Sequence, residues 1–473
     1  MKFTLLKGLL LSTFVIFIGV AKADLRLPQI LASNMVIQQN STVKLWGWGN
    51  PGEKAIVTTS WNNKKDSTRV DGNGKWQLNI QTPAAGGPYT ISIKGNNFIV
   101  LENVLIGEVW ICSGQSNMEM NYYWGIPQMK EDFATAANAY IRLFTIPKST
   151  AKSVQERGEG SWEQTDSNTI KAFSAVAYYF GRRLNNNLNV PIGLIHASWG
   201  GTPAEVWTPA EAVTSDPVLK EAAAKLSPSN GWPIAPAYTY NSMLAPITGF
   251  PIAGAIWYQG ESNTGTASTY NQLFSTMISS WRKAWNKDFP FYFVQIAPFH
   301  YGNNNIAALL REAQAKTLSV PKTGMVVITD ITGDTMDIHP KDKREVGHRL
   351  ANLALAETYS RKIGVVKSPK FNSVTEQKNK LLVSFDNTGS GLVSKGKTIT
   401  GFYVAGADKQ FYPAVANFKN GNIIELQAKE VKEPVAVRYS FSNASTGNVF
   451  SKEGLPLAPF RTDEWTVDTS SLK

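Results

Sequence analysis

The chain has 473 residues and a formal net charge of +11, and its single cysteine, Cys112, excludes an intramolecular disulfide. Its lysines and arginines are dispersed and form no dense basic block, which argues against a nucleic-acid-binding protein. The length favours two or three domains.

The first 23 residues have the pattern of a secretory signal peptide. A basic start at Lys2 precedes an apolar run over residues 9–20, and Ala21-Lys22-Ala23 supplies a small-residue cleavage site. The apolar run is too short for a comfortable membrane span. We predict cleavage after Ala23 and a secreted or periplasmic protein without a membrane span. Loss of the three lysines in this segment lowers the net charge from +11 to +8.

Short alternating strands separated by turns dominate both ends of the mature chain. Residues 24–105 contain such strands with turn sequences such as Asp71-Gly72-Asn73-Gly74 between them, and residues 363–473 return to the same pattern. These patterns predict an N-terminal and a C-terminal β-sandwich-like domain.

Strands and helices alternate over residues 106–362, which predicts an α/β domain with a parallel sheet covered by helices on both faces. The predicted helices span residues 170–188, 270–285 and 306–318, and a fourth follows Pro340, which suits a first-turn position.

Ser116 occupies the most informative position of the chain. An apolar, β-prone segment over residues 104–113 precedes it, and Gly114 ends the predicted strand. Substrates of open α/β sheets bind at the carboxyl ends of strands, and a helix start there offers free N–H groups to a developing oxyanion. The position predicts a catalytic nucleophile, although a plain helix N-cap would also place serine there.

Two later segments supply the other parts of an esterase site. Polar side chains at Gln259, Glu261 and Asn263 follow the apolar segment that ends at Tyr258, and His339 lies in a loop before a predicted helix. A serine, an amide and a histidine in this order can act as nucleophile, oxyanion donor and base.

Four segments together resemble the SGNH/GDSL-like hydrolases, and within them the sialate O-acetylesterase and acetylxylan esterase group. They are GEVWICSGQSNMEM at 107–120, IHASWGGTPAEVW at 195–207, IWYQGESN at 256–263 and DIHPKDKREVGHRLA at 337–351. The resemblance implies a three-layer fold, Ser116 as nucleophile, His339 as base and an acetyl-serine intermediate. We expect His348, on the following helix, to be structural.

The resemblance also implies an oxyanion hole formed by the Ser116 N–H, an N–H of Gly200 or Gly201, and the Gln259 amide. The family's third block commonly reads Gly-x-Asn-Asp, whereas this chain has Gln-Gly-Glu-Ser-Asn, so Asn263 is an alternative donor.

The residue that orients His339 departs from the family pattern. The family commonly carries an aspartate three residues before the histidine, where this chain has Met336, and Asp337 lies two residues before it. We predict Asp337 as the third catalytic residue, with Glu261 or a backbone carbonyl as alternatives. Substrate-binding candidates are Gln115, Asn117, Glu261 and Asn263.

These observations predict a serine esterase that removes O-acetyl groups from carbohydrate, with acetylated sialic acid as the leading substrate. Acetylated xylan or another polysaccharide is the alternative substrate, and a non-catalytic glycan-binding protein is the alternative class. We expect no metal and no cofactor, because the sequence has no His-Glu-x-x-His motif, no cysteine pair and no acidic calcium loop. The sequence leaves the oligomeric state open.

Overall fold

The computed structural model describes residues 24–302 and 305–467. The predicted signal peptide, residues 1–23, lies outside these ranges. Within them, no helix combines the length and the apolar character that a membrane crossing requires.

The strands of the described residues are β1 (Val36–Gln38), β2 (Thr42–Trp48), β3 (Lys54–Thr59), β4 (Lys65–Arg69), β5 (Lys75–Gln81), β6 (Gly86–Lys94), β7 (Phe98–Gly114), β8 (Asn138–Thr145), β9 (Trp162–Thr165), β10 (Ile192–Ser198), β11 (Gly254–Tyr258), β12 (Phe291–Val294), β13 (Thr323–Val326), β14 (Lys370–Gln377), β15 (Lys380–Asp386), β16 (Leu392–Ser394), β17 (Phe402–Ala405), β18 (Phe411–Pro413), β19 (Val415–Phe418), β20 (Ile423–Gln427), β21 (Ala436–Tyr439), β22 (Val449–Ser451) and β23 (Phe460–Arg461). The α-helices are α1 (Ser116–Glu119), α2 (Thr169–Ala172), α3 (Ala175–Leu188), α4 (Ala210–Thr214), α5 (Pro217–Ala224), α6 (Ala267–Trp285), α7 (Ile306–Lys316) and α8 (Lys343–Leu353).

A central sheet with the strand order β13-β12-β11-β7-β10-β8-β9 forms the middle layer of the molecule. Its strands are parallel except for β9, which pairs antiparallel with β8. Trp110 and Cys112 pack into the apolar cluster beneath α3 and α8, whereas Ile111 belongs to the cluster beneath α6 and α7. This alternation along β7 confirms the predicted parallel sheet with helices on both faces.

Strand β7 continues from the N-terminal β-region into the central sheet. Residues 98–106 pair antiparallel with β6, and residues 108–114 pair parallel with β10. The predicted domain boundary after residue 105 falls inside this strand, so backbone hydrogen bonding is continuous across it. The division into domains stays a prediction.

Eight of the C-terminal strands form two four-stranded sheets, β14-β15-β20-β19 and β18-β17-β21-β23, around one apolar core, and β16 pairs with β22. Buried side chains from both sheets, such as Val383 and Val404, meet in that core, as the predicted β-sandwich-like region requires. Arg461 fixes this region to α7, because its guanidinium bonds both carboxylate oxygens of Glu312 at 2.9 Å.

Two helix starts differ from the sequence expectation. The helix predicted over residues 170–188 is interrupted, because the Ser174 hydroxyl accepts from the Ala177 N–H and donates to the Met118 carbonyl, which begins α3 anew. Pro340 does not lie in the first turn of α8. That helix begins at Lys343, with the Asp342 side chain accepting from the Glu345 N–H.

Gly114, at the end of β7, packs closely against the backbone of Tyr258. Its φ is +142°, and a Cβ there would lie 2.2 Å from the Tyr258 carbonyl oxygen. We expect Gly114→Ala to lower the free energy of unfolding by roughly 2–5 kcal/mol and to reduce activity, because backbone strain and steric overlap add. Thermal melting and denaturant unfolding measure the effect. Gly265→Ala is the control, because Gly265 has open space around it; equal stability of the two variants would contradict the expectation.

Candidate active site

The carboxyl edge of the central sheet positions Ser116. Strand β7 ends at Gly114, Gln115 precedes the helix, and Ser116 is the first residue of α1. The neighbouring strands β10 and β11 end at Ser198 and Tyr258, so the segments that follow them reach the same edge. As the first helical residue, Ser116 has an N–H without a partner inside the helix.

His339 reaches Ser116 from the loop that precedes α8. Its Nε2 lies 2.9 Å from the Ser116 Oγ, which is hydrogen-bond distance for a nucleophile and its base. Burial lowers the pKa of His339, the positive charges of Lys343 and Lys341 lower it further, and Asp337 opposes them. The imidazole therefore stays neutral to a lower pH than an ordinary histidine does, and in this form it is able to accept the Ser116 hydroxyl proton.

Asp337 lies beside the second ring nitrogen of His339. Its Oδ1 is 3.6 Å from the His339 Nδ1 and accepts a 2.9 Å hydrogen bond from the His339 backbone N–H. Burial raises the pKa of Asp337, but these bonds and Lys341, whose Nζ lies 3.2 Å away, outweigh it and lower the pKa. The Asp337 carboxylate bonds the backbone of its own loop and lies next to the imidazole. Its role as third catalytic residue stays a prediction.

Gly200 lies close to Ser116, and Gly201 packs against Trp232. A Cβ on Gly200 would approach the Ser116 Cβ to 3.3 Å, and Gly201 has a φ of +81° against the Trp232 ring. The Gly200 N–H donates a 2.6 Å bond to Glu119, whose other oxygen pairs with Lys148 at 2.5 Å. Sequence reasoning missed Glu119 and Lys148, although Glu119 lies in the first turn after Ser116.

The hydrogen bonds of the Gln259 side chain oppose its expected role as oxyanion donor. Its amide nitrogen donates to the Asn263 Oδ1 at 2.7 Å and to the Thr202 carbonyl at 3.3 Å, and its Oε1 accepts from Tyr270. Both amide hydrogens are thus committed to buried protein acceptors. The amide supports the loop instead of facing a substrate.

Asn263, the alternative donor, is also held inside the protein. Its amide nitrogen donates to Glu205 at 2.9 Å and to Thr266 at 3.3 Å, and its Oδ1 accepts from Ala204. Its side chain is completely buried. The structure thus also opposes a substrate-binding role for Asn263.

Gln115 connects the nucleophile turn to the loop after β11. Its Oε1 accepts from the backbone N–H groups of Gly260 and Ser262, at 3.3 and 3.4 Å. Its amide nitrogen has no hydrogen-bond partner among residues 24–302 and 305–467. Gln115 therefore stays a candidate for substrate binding.

Asn117 and Glu261, two further candidates, bond to each other behind the site. The Asn117 amide nitrogen donates to Glu261 at 2.6 Å, and its Oδ1 accepts from Lys343 at 2.5 Å. Asn117 and Lys343 are completely buried, so these contacts oppose direct substrate binding by Asn117. Glu261 bonds Asn117 and not His339, so the structure gives no support to Glu261 as the residue that orients the base.

The other histidines do not reach Ser116. The His196 Nε2 lies 2.6 Å from the Ser198 Oγ, and burial lowers the pKa of His196 to about 4. His348 packs edge-on against Tyr179, as expected for a structural residue. In the part of the chain that the structure describes, no three histidine, cysteine or acidic side chains gather as metal ligands.

The sequence profile described as "Carbohydrate esterase, sialic acid-specific acetylesterase" matches residues 106–356. The chain belongs to this family. The match covers more than half of the chain and contains the Ser116–His339 pair. The chain is therefore a carbohydrate esterase, a carboxylic ester hydrolase.

Individual relatives agree with this assignment. A crystal structure of a carbohydrate acetylesterase from Xanthomonas citri superposes with a TM-score of 0.86 at 35% identity, over 93% of this chain and 100% of that one. Sialate O-acetylesterases from Pongo abelii and Homo sapiens are each 29% identical over 375 residues, which is 71% of this chain and 72% of each relative. The structural match extends beyond the esterase region into the flanking β-regions.

The role of Asp337 can be separated from that of an ordinary loop carboxylate. Its charge stabilises protonated His339, so we expect Asp337→Asn to slow acylation by roughly 10²–10⁴-fold. Pre-steady-state acylation of Ser116 by an aryl acetate measures the effect. Asp334→Asn is the matched control, because Asp334 likewise caps a backbone N–H in the same loop. A loss of tenfold or less in Asp337→Asn would leave a Ser–His dyad.

Proposed function

We propose that this carbohydrate esterase removes O-acetyl groups from acetylated sialic acid by a two-step serine mechanism. The 2.9 Å contact between the Ser116 Oγ and the His339 Nε2 carries the proposal. His339 accepts the hydroxyl proton as Ser116 attacks the acetyl carbonyl, and it then protonates the departing sugar oxygen. Water activated by His339 releases acetate and restores Ser116.

Backbone N–H groups supply the proposed oxyanion stabilisation. The Ser116 N–H points from the start of α1, and the Gly200-Gly201 segment lies against the serine. Because the Gly200 N–H is bonded to Glu119, the Gly201 N–H is the preferred second donor. Such fixed donors stabilise the charge that develops on the acetyl oxygen.

Aromatic and cationic side chains beside the glycines support a sugar substrate with a carboxylate. Trp232 is 40% exposed and packs against Gly201, and Lys148 lies over the Trp199 ring. An indole face suits a sugar ring, and an ammonium group suits a carboxylate. The names of the mammalian relatives point to the same substrate class.

The catalytic pair can be tested without knowledge of the glycan. We expect Ser116→Ala and His339→Ala to lose at least about 10³-fold in acetate release from an aryl acetate, because each removes one of two groups that act together. His348→Ala is the control, since that ring is structural. Melting temperatures confirm that the variants are folded. A folded Ser116→Ala variant with more than a tenth of normal activity would exclude Ser116 as nucleophile.

The substrate class needs a direct comparison of acetylated glycans. We expect kcat/KM to be at least about tenfold higher for O-acetylated sialic acid than for acetylated xylan, a difference of about 1.4 kcal/mol in transition-state binding. Acetate release from both substrates measures it, with Ser116→Ala as the blank. Higher kcat/KM for acetylated xylan would assign the chain to polysaccharide deacetylation.

A further inference from the structure

A buried cluster of three side chains lies directly behind the Ser116–His339 pair. It consists of Asn117, Glu261 and Lys343, and we call it the amide cluster. Asn117 and Lys343 are completely buried, and Glu261 is 7% exposed. Burial of an ammonium and a carboxyl group carries a large desolvation cost, so the arrangement requires a reason beyond packing.

The Asn117 amide has one chemically permitted orientation in this cluster. Its Oδ1 faces the Lys343 ammonium, which can only donate, at 2.5 Å. Its amide nitrogen faces two acceptors, the Glu261 carboxylate at 2.6 Å and the Ile338 carbonyl at 3.1 Å. A flipped amide would place donor against donor and acceptor against acceptor. Lys343 and the two acceptors together fix which way the amide points, and Lys343 supplies the donor that the buried Oδ1 needs.

The amide also joins the two catalytic segments. Asn117 follows Ser116 in the chain, and Ile338 precedes His339. The hydrogen bond from Asn117 to Ile338 thus connects backbone next to the nucleophile with backbone next to the base. A rotated Asn117 amide would lose this bond, which is one of the contacts that hold Ser116 and His339 at their observed distance.

The charge of Lys343 acts on His339 as well. His339 is faced by Lys343, Lys341 and Asp337, and the positive charge of Lys343 lowers the pKa of the imidazole. Lys343 itself is faced by Glu261, Lys341 and Asp337, and its ammonium lies 5.2 Å from the centre of the Tyr258 ring. Burial lowers the pKa of Lys343 to about 7.

We propose that Lys343 is a positioning residue: it satisfies the buried oxygen of the Asn117 amide that holds the Ser116 and His339 segments together, and its charge extends activity to lower pH. The proposal rests on Ser116 and His339 being the catalytic pair. Loss of the charge raises the pKa of His339, so the base becomes protonated, and activity is lost, at a higher pH than in the unmodified enzyme.

Two substitutions separate the hydrogen bond from the charge. Lys343→Gln keeps a donor for Asn117 and removes the charge, whereas Lys343→Met removes both. We expect both variants to shift the acidic limb of the kcat/KM profile upward by roughly 0.5–1 pH unit. We expect only Lys343→Met to lower the plateau kcat as well, by roughly 10- to 100-fold, because the buried Asn117 Oδ1 is left without a donor and the amide that joins the two segments shifts.

Lys287→Gln is the matched control. Its ammonium also bonds one neutral acceptor, the Ile252 carbonyl at 2.7 Å, but it lies at the opposite edge of the sheet, before β11 and β12. Its pH profile and plateau should equal those of the unmodified enzyme. All profiles use aryl acetate hydrolysis, and Ser116→Ala in the same assay tests the catalytic pair separately.

A double variant that lacks both charges controls for misfolding of the single variant Lys343→Gln. Lys343→Gln alone leaves the Glu261 carboxylate without its nearby cation, whereas Glu261→Gln/Lys343→Gln removes both charges and keeps the hydrogen-bonding shape. The upward shift of the acidic limb should persist in the double variant. An unshifted acidic limb in the folded double variant, or a normal plateau kcat in folded Lys343→Met, would overturn the proposal.

Discussion

The active site depends on the close contact between the end of β7 and the end of β11. The Tyr258 carbonyl leaves no space for a side chain at Gly114 and accepts a 3.0 Å hydrogen bond from the Gln115 N–H. On the other side, the Gly114 carbonyl accepts from the Trp199 N–H at 3.1 Å. The turn that carries Ser116 is thus fixed by the segments at the ends of both neighbouring strands.

Side chains that resemble oxyanion donors instead build the walls of the site. The Gln259 amide donates to Asn263, Gln259 accepts from the Tyr270 hydroxyl, and Asn263 donates to the Glu205 carboxylate, all within the protein interior. Glu205 is 1% exposed, and its burial raises the pKa of its carboxyl group. A rigid, dry wall allows backbone N–H groups to stabilise charge more strongly than in water, because neither the donors nor solvent must reorganise.

Helix α7 links the C-terminal β-region to the esterase site. On one side, Arg311 donates to the Asn443 carbonyl, and Glu312 pairs with Arg461. On another, the Gln314 amide donates to the Gln259 carbonyl at 3.1 Å, directly after β11. The C-terminal strands therefore support the loop that lines the site, even though they contribute no residue to the catalytic pair.

Much of the fold could be predicted from the sequence because local patterns indicate it, and the candidate pair of Ser116 and His339 could be predicted because both lie in motifs that resemble the family. Alternating strands and helices specify the three layers, and Gly114 before Ser116 marks a strand end at the binding edge. The spacing of Val346 and Leu350 correctly predicts one buried face of α8. Lys343 lies on that same face, three residues before Val346 and seven before Leu350, and this spacing indicates that Lys343 is buried.

Other features were decided by the tertiary structure, because they depend on partners distant in the chain. Gln259 and Asn263 are polar and follow a strand, as donors would, but Tyr270 and Glu205 hold them inside the protein. Lys343 meets Asn117, 226 residues earlier, only after α8 packs beneath the sheet. The sequence by itself indicated the fold class through its alternation of strands and helices, and it indicated Ser116 and His339 through their positions in motifs that resemble the family. The tertiary structure decided which polar groups face the substrate and which face each other, since each hydrogen bond depends on where its distant partner lies.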